Sequence, residues 1–142
     1  MIYFDSSALV KRYIEEEGSD KVNALLEEGS VAAASRLAYA EILAAITRRH
    51  KAGEIETKAF ERIKRAFKAD WASLAVVEMH EEVFQFIDDV IAKYALKGAD
   101  SIHLSTALWL KGATKEDVVF VASDLELLKA AKAEKLRICN PV

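Results

Sequence analysis

Cysteine is nearly absent. The single Cys139 has no partner in the chain, so no internal disulfide can form, and its place in the closing strand-like segment suits packing rather than chemistry. A lone thiol fits a reducing compartment, and a cytoplasmic setting is the expectation. No apolar run approaches the ~18 residues of a membrane-spanning helix. The N-terminus shows no basic segment followed by an apolar core and a cleavage site, so no signal peptide is expected. The five glycines are scattered rather than gathered into a phosphate-cradling loop, and no Ser-His-Asp set appears in a sensible context. Disulfide scaffolds, membrane spans, P-loop nucleotide binding and triad hydrolysis are thereby disfavoured. No internal repeat, low-complexity stretch or linker divides the chain, so residues 1–142 read as one domain.

The composition is that of a foldable soluble chain: 52% apolar residues can fill a core and 30% charged residues can cover it. The organising stretch is Ile2-Tyr3-Phe4-Asp5-Ser6-Ser7. It reads as a buried strand running straight from the N-terminus and ending on a carboxylate. Val118-Val119-Phe120-Val121-Ala122 ends in the same way, on Ser123-Asp124. Shorter strands are expected at 30–34, 74–77 and 136–139. Helices are expected at 8–16, 19–28, 36–52, 56–69, 81–94 and 100–111, with a last one capped by a Ser123/Glu126 box. Ser35 is placed to cap the third. Strands separated by helices imply parallel pairing through right-handed crossovers. Ligand sites in such sheets lie at the carboxyl ends of the strands, where Asp5 and Asp124 fall.

Four acids stand out, three of them with a local explanation. Asp5 can cap the first helix, Asp124 falls at the start of the last, and Asp100 lies in the first turn of its own. Glu41 is different, because it interrupts a segment (Leu37, Ala38, Ala40, Ile42, Leu43, Ala44, Ala45, Ile46) that is apolar almost all round. A carboxylate buried there without a partner costs several kcal/mol or changes its protonation. A basic side chain or a metal would justify it, yet neither Arg36 nor Arg48 sits at i±3 or i±4. An edge position on the apolar arc is the plainer alternative. Four carboxylates without surrounding Cys or His would form an all-oxygen site, which suits Mg²⁺ or Mn²⁺ rather than zinc. His103, one turn after Asp100, could lean toward such a site or simply be a satisfied helix residue. His50 extends a basic region, and His80 looks like a helix-entry residue.

Net charge is −3, which gives no global sign of a polyanion partner, but its distribution is uneven. Between Arg48 and Lys68 there are eight Lys or Arg residues against three Glu. Within that window Arg48, Arg49, Lys51, Arg62 and Arg65 are the candidates for phosphate contact, although a solvated helix face is the plainer explanation of such a run taken alone.

The segments Ile2-Tyr3-Phe4-Asp5-Ser6-Ser7-Ala8-Leu9-Val10-Lys11, Tyr39-Ala40-Glu41-Ile42, Gly98-Ala99-Asp100-Ser101-Ile102-His103-Leu104-Ser105-Thr106-Ala107 and Val121-Ala122-Ser123-Asp124 together resemble the PIN-domain ribonucleases. The likeness is strongest to the VapC toxins of toxin–antitoxin pairs, and it covers nearly the whole chain in order. The resemblance implies an α/β three-layer fold, with a five-stranded parallel sheet of order 3-2-1-4-5 and about seven helices. It implies that Asp5, Glu41, Asp100 and Asp124 surround Mg²⁺ or Mn²⁺, with Ser7 and Ser123 as supporting hydroxyls. It further implies metal-dependent RNA hydrolysis, a homodimer and a small antitoxin that blocks the acidic cleft. Two other classes stay open. An aspartyl-phosphate phosphotransferase could use Asp5, although its usual second Asp two residues on is here Ser7. A non-catalytic RNA- or protein-binding module could keep the fold and lack turnover.

Overall fold

The structure, a computed structural model, describes residues 1–142. Its strands are β1 (Ile2–Phe4), β2 (Ala32–Ser35), β3 (Ala75–Val77), β4 (Val119–Val121) and β5 (Arg137–Cys139). Its helices are α1 (Ser6–Leu9), α2 (Ser19–Glu27), α3 (Arg36–Lys51), α4 (Thr57–Trp71), α5 (Glu81–Phe84), α6 (Ile87–Tyr94), α7 (Gly98–Thr114) and α8 (Leu125–Ala133), with a 3-10 turn over Val10–Arg12. All pairings are parallel, and the spatial order is β3-β2-β1-β4-β5, as the resemblance implies.

Chain direction across the sheet reverses after β3. Strands β2 and β3 are laid down on one side, then the chain crosses to place β4 and β5 on the other. Right-handed crossovers therefore put α1–α4 on one face and α5–α8 on the opposite face. Alternation along β1 serves both layers. Tyr3 joins Val83, Val90, Leu104, Phe120 and Leu127 in one core, and its ring stacks on Phe120 with centroids 5.4 Å apart. Ile2 and Phe4 join Leu9, Ile42, Ile46, Phe67 and Trp71 in the other. Ala33 and Ala34 on β2 are fully buried, one in each layer. Small residues there let helices approach both faces.

The seven expected helical segments are all present, with differences at their ends. The segment 81–94 is divided into α5 and α6 at Gln85-Phe86, so eight α-helices result. The first expected helix, 8–16, begins instead at Ser6 and gives way to the 3-10 turn. Its start is set by the Asp5 carboxylate, which accepts the Ala8 N–H at 3.0 Å and fixes Asp5 as N-cap. Ser35 caps α3 as expected, accepting from the Leu37 amide at 3.1 Å. The cap of α8 is Asp124, not Ser123, because Asp124 Oδ1 accepts the Leu127 N–H at 2.9 Å.

Candidate active site

The switch point of the sheet lies between β1 and β4, whose register pairs Phe4 with Val121. The Asp5 N–H donates to the Val121 carbonyl at 3.0 Å, so the two chains leave the sheet side by side. Ser7 joins them. Its hydroxyl donates to Asp5 Oδ1 and Oδ2 at 2.8 and 3.0 Å, and accepts the Ser123 N–H at 3.1 Å. One small side chain thus orients the Asp5 carboxylate and ties the loop after β1 to the loop after β4.

Asp5 is 3% exposed. Burial is the main reason its carboxyl is pushed up to about 6; His103, Ser7 and the Ala8 amide pull it down, and the charge of Asp100 adds to the rise. Asp100, half-buried in the first turn of α7, accepts no hydrogen bond from the protein. Its carboxyl is raised first by burial and then by Asp124 and Glu41, against the pull of His103 and Lys97. Asp124 is exposed, with only Oδ1 engaged in capping. The four acids come from the end of β1, the second turn of α3, the start of α7 and the cap of α8, and these couplings put them in one electrostatic neighbourhood.

Glu41 lies at the edge of the apolar arc of α3, partly exposed rather than enclosed on all sides, and its basic partner is not an arginine. His103 Nε2 lies 2.7 Å from Glu41 Oε1, and the Ser6 hydroxyl donates to the same oxygen at 2.6 Å. Burial pushes the Glu41 carboxyl up, but the bonds from His103 and Ser6 outweigh it and hold the group below its usual range. Tyr3 and Ser6 are the site residues that the sequence did not single out. His103, one turn from Asp100, does lean toward the site, one of the two readings its position allows.

As the side chains stand, no three acids or imidazoles are gathered tightly enough to hold an ion. The reason is local. Glu41 is drawn onto His103 and Ser6, while Asp5 and Asp124 each spend an oxygen on a helix amide. The donor set nevertheless suits a hard divalent cation. It is all oxygen, it keeps Glu41 Oε2, Asp124 Oδ2 and both Asp100 oxygens free of protein hydrogen bonds, and two of its members are raised in part by like charge. The enclosed Ser123 hydroxyl beside it also lacks any hydrogen-bond partner. A cation or its water would satisfy that hydroxyl and offset the repulsion.

The basic candidates lie on the second half of α3 and on α4. Arg48 is two turns beyond Glu41 on the same helix, about 10 Å along the axis. Arg48, Lys51, Arg62 and Arg65 are exposed and have no ionic partner. Arg49 is shared between Glu16 at 3.4 Å and Glu54 at 3.3 Å, which reduces its free charge.

A doubly wound parallel sheet with carboxylates at the ends of β1 and β4 defines a class of α/β proteins with an acidic switch point, and residues 2–133 match the PIN domain family. The chain belongs to that family. It is 40% identical over 111 residues to Ribonuclease VapC45 of Mycobacterium tuberculosis, an alignment covering 76% of this chain and 75% of that protein. Its fold matches a toxin–antitoxin complex from Klebsiella pneumoniae (TM-score 0.70, 14% identity, 100% of this chain and 98% of that one). It also matches VapBC2 from Rickettsia felis bound to a DNA fragment from their promoter (TM-score 0.68, 14% identity, 99% and 98%). At such identities the structural likeness is one of fold.

Proposed function

We propose that this protein is a metal-dependent endoribonuclease acting as the toxin of a VapBC-type pair, through one PIN-like domain spanning residues 1–142. The carrying observation is that Asp5 and Asp124 leave the neighbouring strands β1 and β4 side by side, joined through Ser7. Membership of the PIN family and identity to a ribonuclease support the reading.

In this reading Asp5, Glu41, Asp100 and Asp124 hold Mg²⁺ or Mn²⁺. Such an ion, when bound, supplies Lewis-acid stabilisation of charge developing on a phosphodiester and eases deprotonation of water. Asp5, the most enclosed acid, fixes the floor of the site, and Ser7 prevents its carboxylate from rotating. Asp100 and Asp124, with free oxygens, face the substrate side. Ser123 supplies a supporting hydroxyl. Arg48, Lys51, Arg62 and Arg65, with Arg49 to a smaller degree, hold RNA phosphates beside the acidic crevice. The substrate is single-stranded RNA, whose unstacked bases and phosphates are open to side-chain contact. A small antitoxin partner, a homodimer and a cytoplasmic location complete the proposal.

Incubation of a labelled single-stranded RNA with Mg²⁺, with Mn²⁺ and with EDTA tests it, using wild type, Asp5→Asn and Asp124→Asn. Cleavage is expected only with metal, and each substitution should lower it by about 100-fold or more, since each removes a charged ligand. Turnover that persists in EDTA and in both variants would remove the metal mechanism. The engagement of Glu41 with His103 rather than with the other acids favours one rival, a binding module without turnover. RNA bound but uncleaved in every metal would support that rival.

A further inference from the structure

We infer that His103, held in one tautomer by Tyr3, is a positioning residue that presents a single oxygen of Glu41 to the cation. The inference rests on the metal-site reading above and assigns two residues to it that are not themselves ligands.

His103 is 1% exposed and Tyr3 is fully enclosed, so neither can exchange its partners for water. Both imidazole nitrogens are engaged: Nδ1 lies 2.8 Å from the Tyr3 hydroxyl and Nε2 lies 2.7 Å from Glu41 Oε1. A carboxylate oxygen only accepts, so Nε2 carries a proton. In the neutral ring Nδ1 is then the acceptor, and the Tyr3 O–H donates to it. Tyr3 cannot rotate away, because its ring is stacked on Phe120 at 9° between planes and meets His103 edge-on at 6.1 Å. Ser6 lies 3.2 Å from Nε2 and donates its own proton to Glu41 Oε1 at 2.6 Å.

Glu41 Oε1 therefore takes two donors and Oε2 takes none. The carboxylate is pinned with one oxygen saturated by β1, α1 and α7 acting together, leaving Oε2 as the atom available for a cation. An outer hydrogen bond of this kind orients a ligand carboxylate and tunes its basicity. Asp5 receives the same treatment from Ser7 and the Ala8 amide, so both acids on the β1 side of the crevice are fixed before any ion enters.

The experiment measures Mn²⁺ affinity by calorimetry, and metal-free melting temperature, for wild type, Tyr3→Phe, His103→Leu and His103→Gln. Tyr3→Phe keeps the stacked ring and removes only the proton donor. His103→Gln can place an amide N–H near the Nε2 position, whereas His103→Leu cannot donate. Mn²⁺ should bind His103→Leu ~10- to 100-fold more weakly than wild type, the usual size of such an outer-shell effect. Tyr3→Phe should shift in the same direction, and His103→Gln should recover part of the loss. The metal-free protein gives an independent readout: its imidazole ¹⁵N spectrum should show the proton on Nε2 of His103. A folded His103→Leu variant that binds Mn²⁺ as tightly as wild type, or a His103 ring with Nε2 bare, overturns the inference. Wild type that binds no Mn²⁺ at all, with the ¹⁵N signature as expected, sinks the metal-site reading instead and leaves the Tyr3–His103–Glu41 geometry standing.

Discussion

Asp5 is almost wholly enclosed, yet the proposed chemistry requires it charged. Its carboxyl lies near 6 in the folded protein against an ordinary 3.8, with burial as the chief cause. Folding therefore strengthens its hold on a proton. The resulting stability is fully present below the ordinary value and is lost as pH rises through about 6. The gap corresponds to about 3 kcal/mol. Asp5→Asn removes the charge but keeps an N-cap acceptor for α1. In EDTA at about pH 7.5 this variant should melt several degrees above wild type; at about pH 5 roughly half of the difference should remain, and it should close only as pH falls below the ordinary aspartate value. A variant that melts below wild type at the higher pH would show that the charge is not strained. Glu41 runs the other way: its carboxyl is depressed, so its contribution is present at neutral pH and fades on acidification below the ordinary glutamate range. α3 is not buried all round: Ala40 and Ala44 are exposed and the Glu41 side chain is 33% exposed, so Glu41 sits at the edge of the apolar arc, the alternative that the sequence left open. Its partners were not legible, since residues 6, 41 and 103 meet only after the sheet has formed.

Among the elements, short continuous apolar runs placed the strands, and period 3.6 with cap and glycine signals placed the helical segments, with shifted ends at β2 and α1. It did not reveal the break between α5 and α6. Val83 and Val90 are both buried and seven residues apart, so the apolar stripe runs through the break as though the helix were continuous. The cap of α8 was misread for a related reason: Ser123 and Asp124 are both good caps, and only the engagement of the Ser123 amide with Ser7 and of the Leu127 amide with Asp124 decides between them. The turn into α2 carries a contact that local pattern does not show. Gly18 has φ +95°, and a Cβ there would lie 3.0 Å from the Pro141 carbonyl oxygen and 3.2 Å from Lys11 Cδ. Gly53 has φ +81° and nothing within 4 Å. Gly53→Ala should cost about 1 kcal/mol from backbone strain alone. Gly18→Ala should cost more, because the C-terminal segment must also move away from the turn. Denaturant midpoints compare the two, and equal losses would mean that the tail gives way freely.

At the scale of the whole molecule, the reversal of strand order at β1 does what no single segment can. It sets Asp5 and Asp124 at the carboxyl ends of neighbouring strands, with the charges of Glu41 and Asp124 felt at Asp100, in a protein whose net charge is only −3. That order came from family likeness rather than from periodicity, because alternating strands and helices fix parallel pairing without fixing sequence across the sheet. Crowding of like charge makes the metal-free fold less stable than the same fold with a cation, and the two states should respond oppositely to pH. In EDTA, deprotonation of Asp5 as pH rises lowers stability. With Mn²⁺ present, the same deprotonation completes a ligand, so binding strengthens. Mn²⁺ at ten times its dissociation constant should add about 1.4 kcal/mol. The gap between the melting temperatures in Mn²⁺ and in EDTA should therefore widen between about pH 5 and about pH 7.5, and Asp5→Asn should flatten it. If the gap in wild type is constant across that interval, or survives intact in Asp5→Asn, the cation is held somewhere other than the β1/β4 switch point.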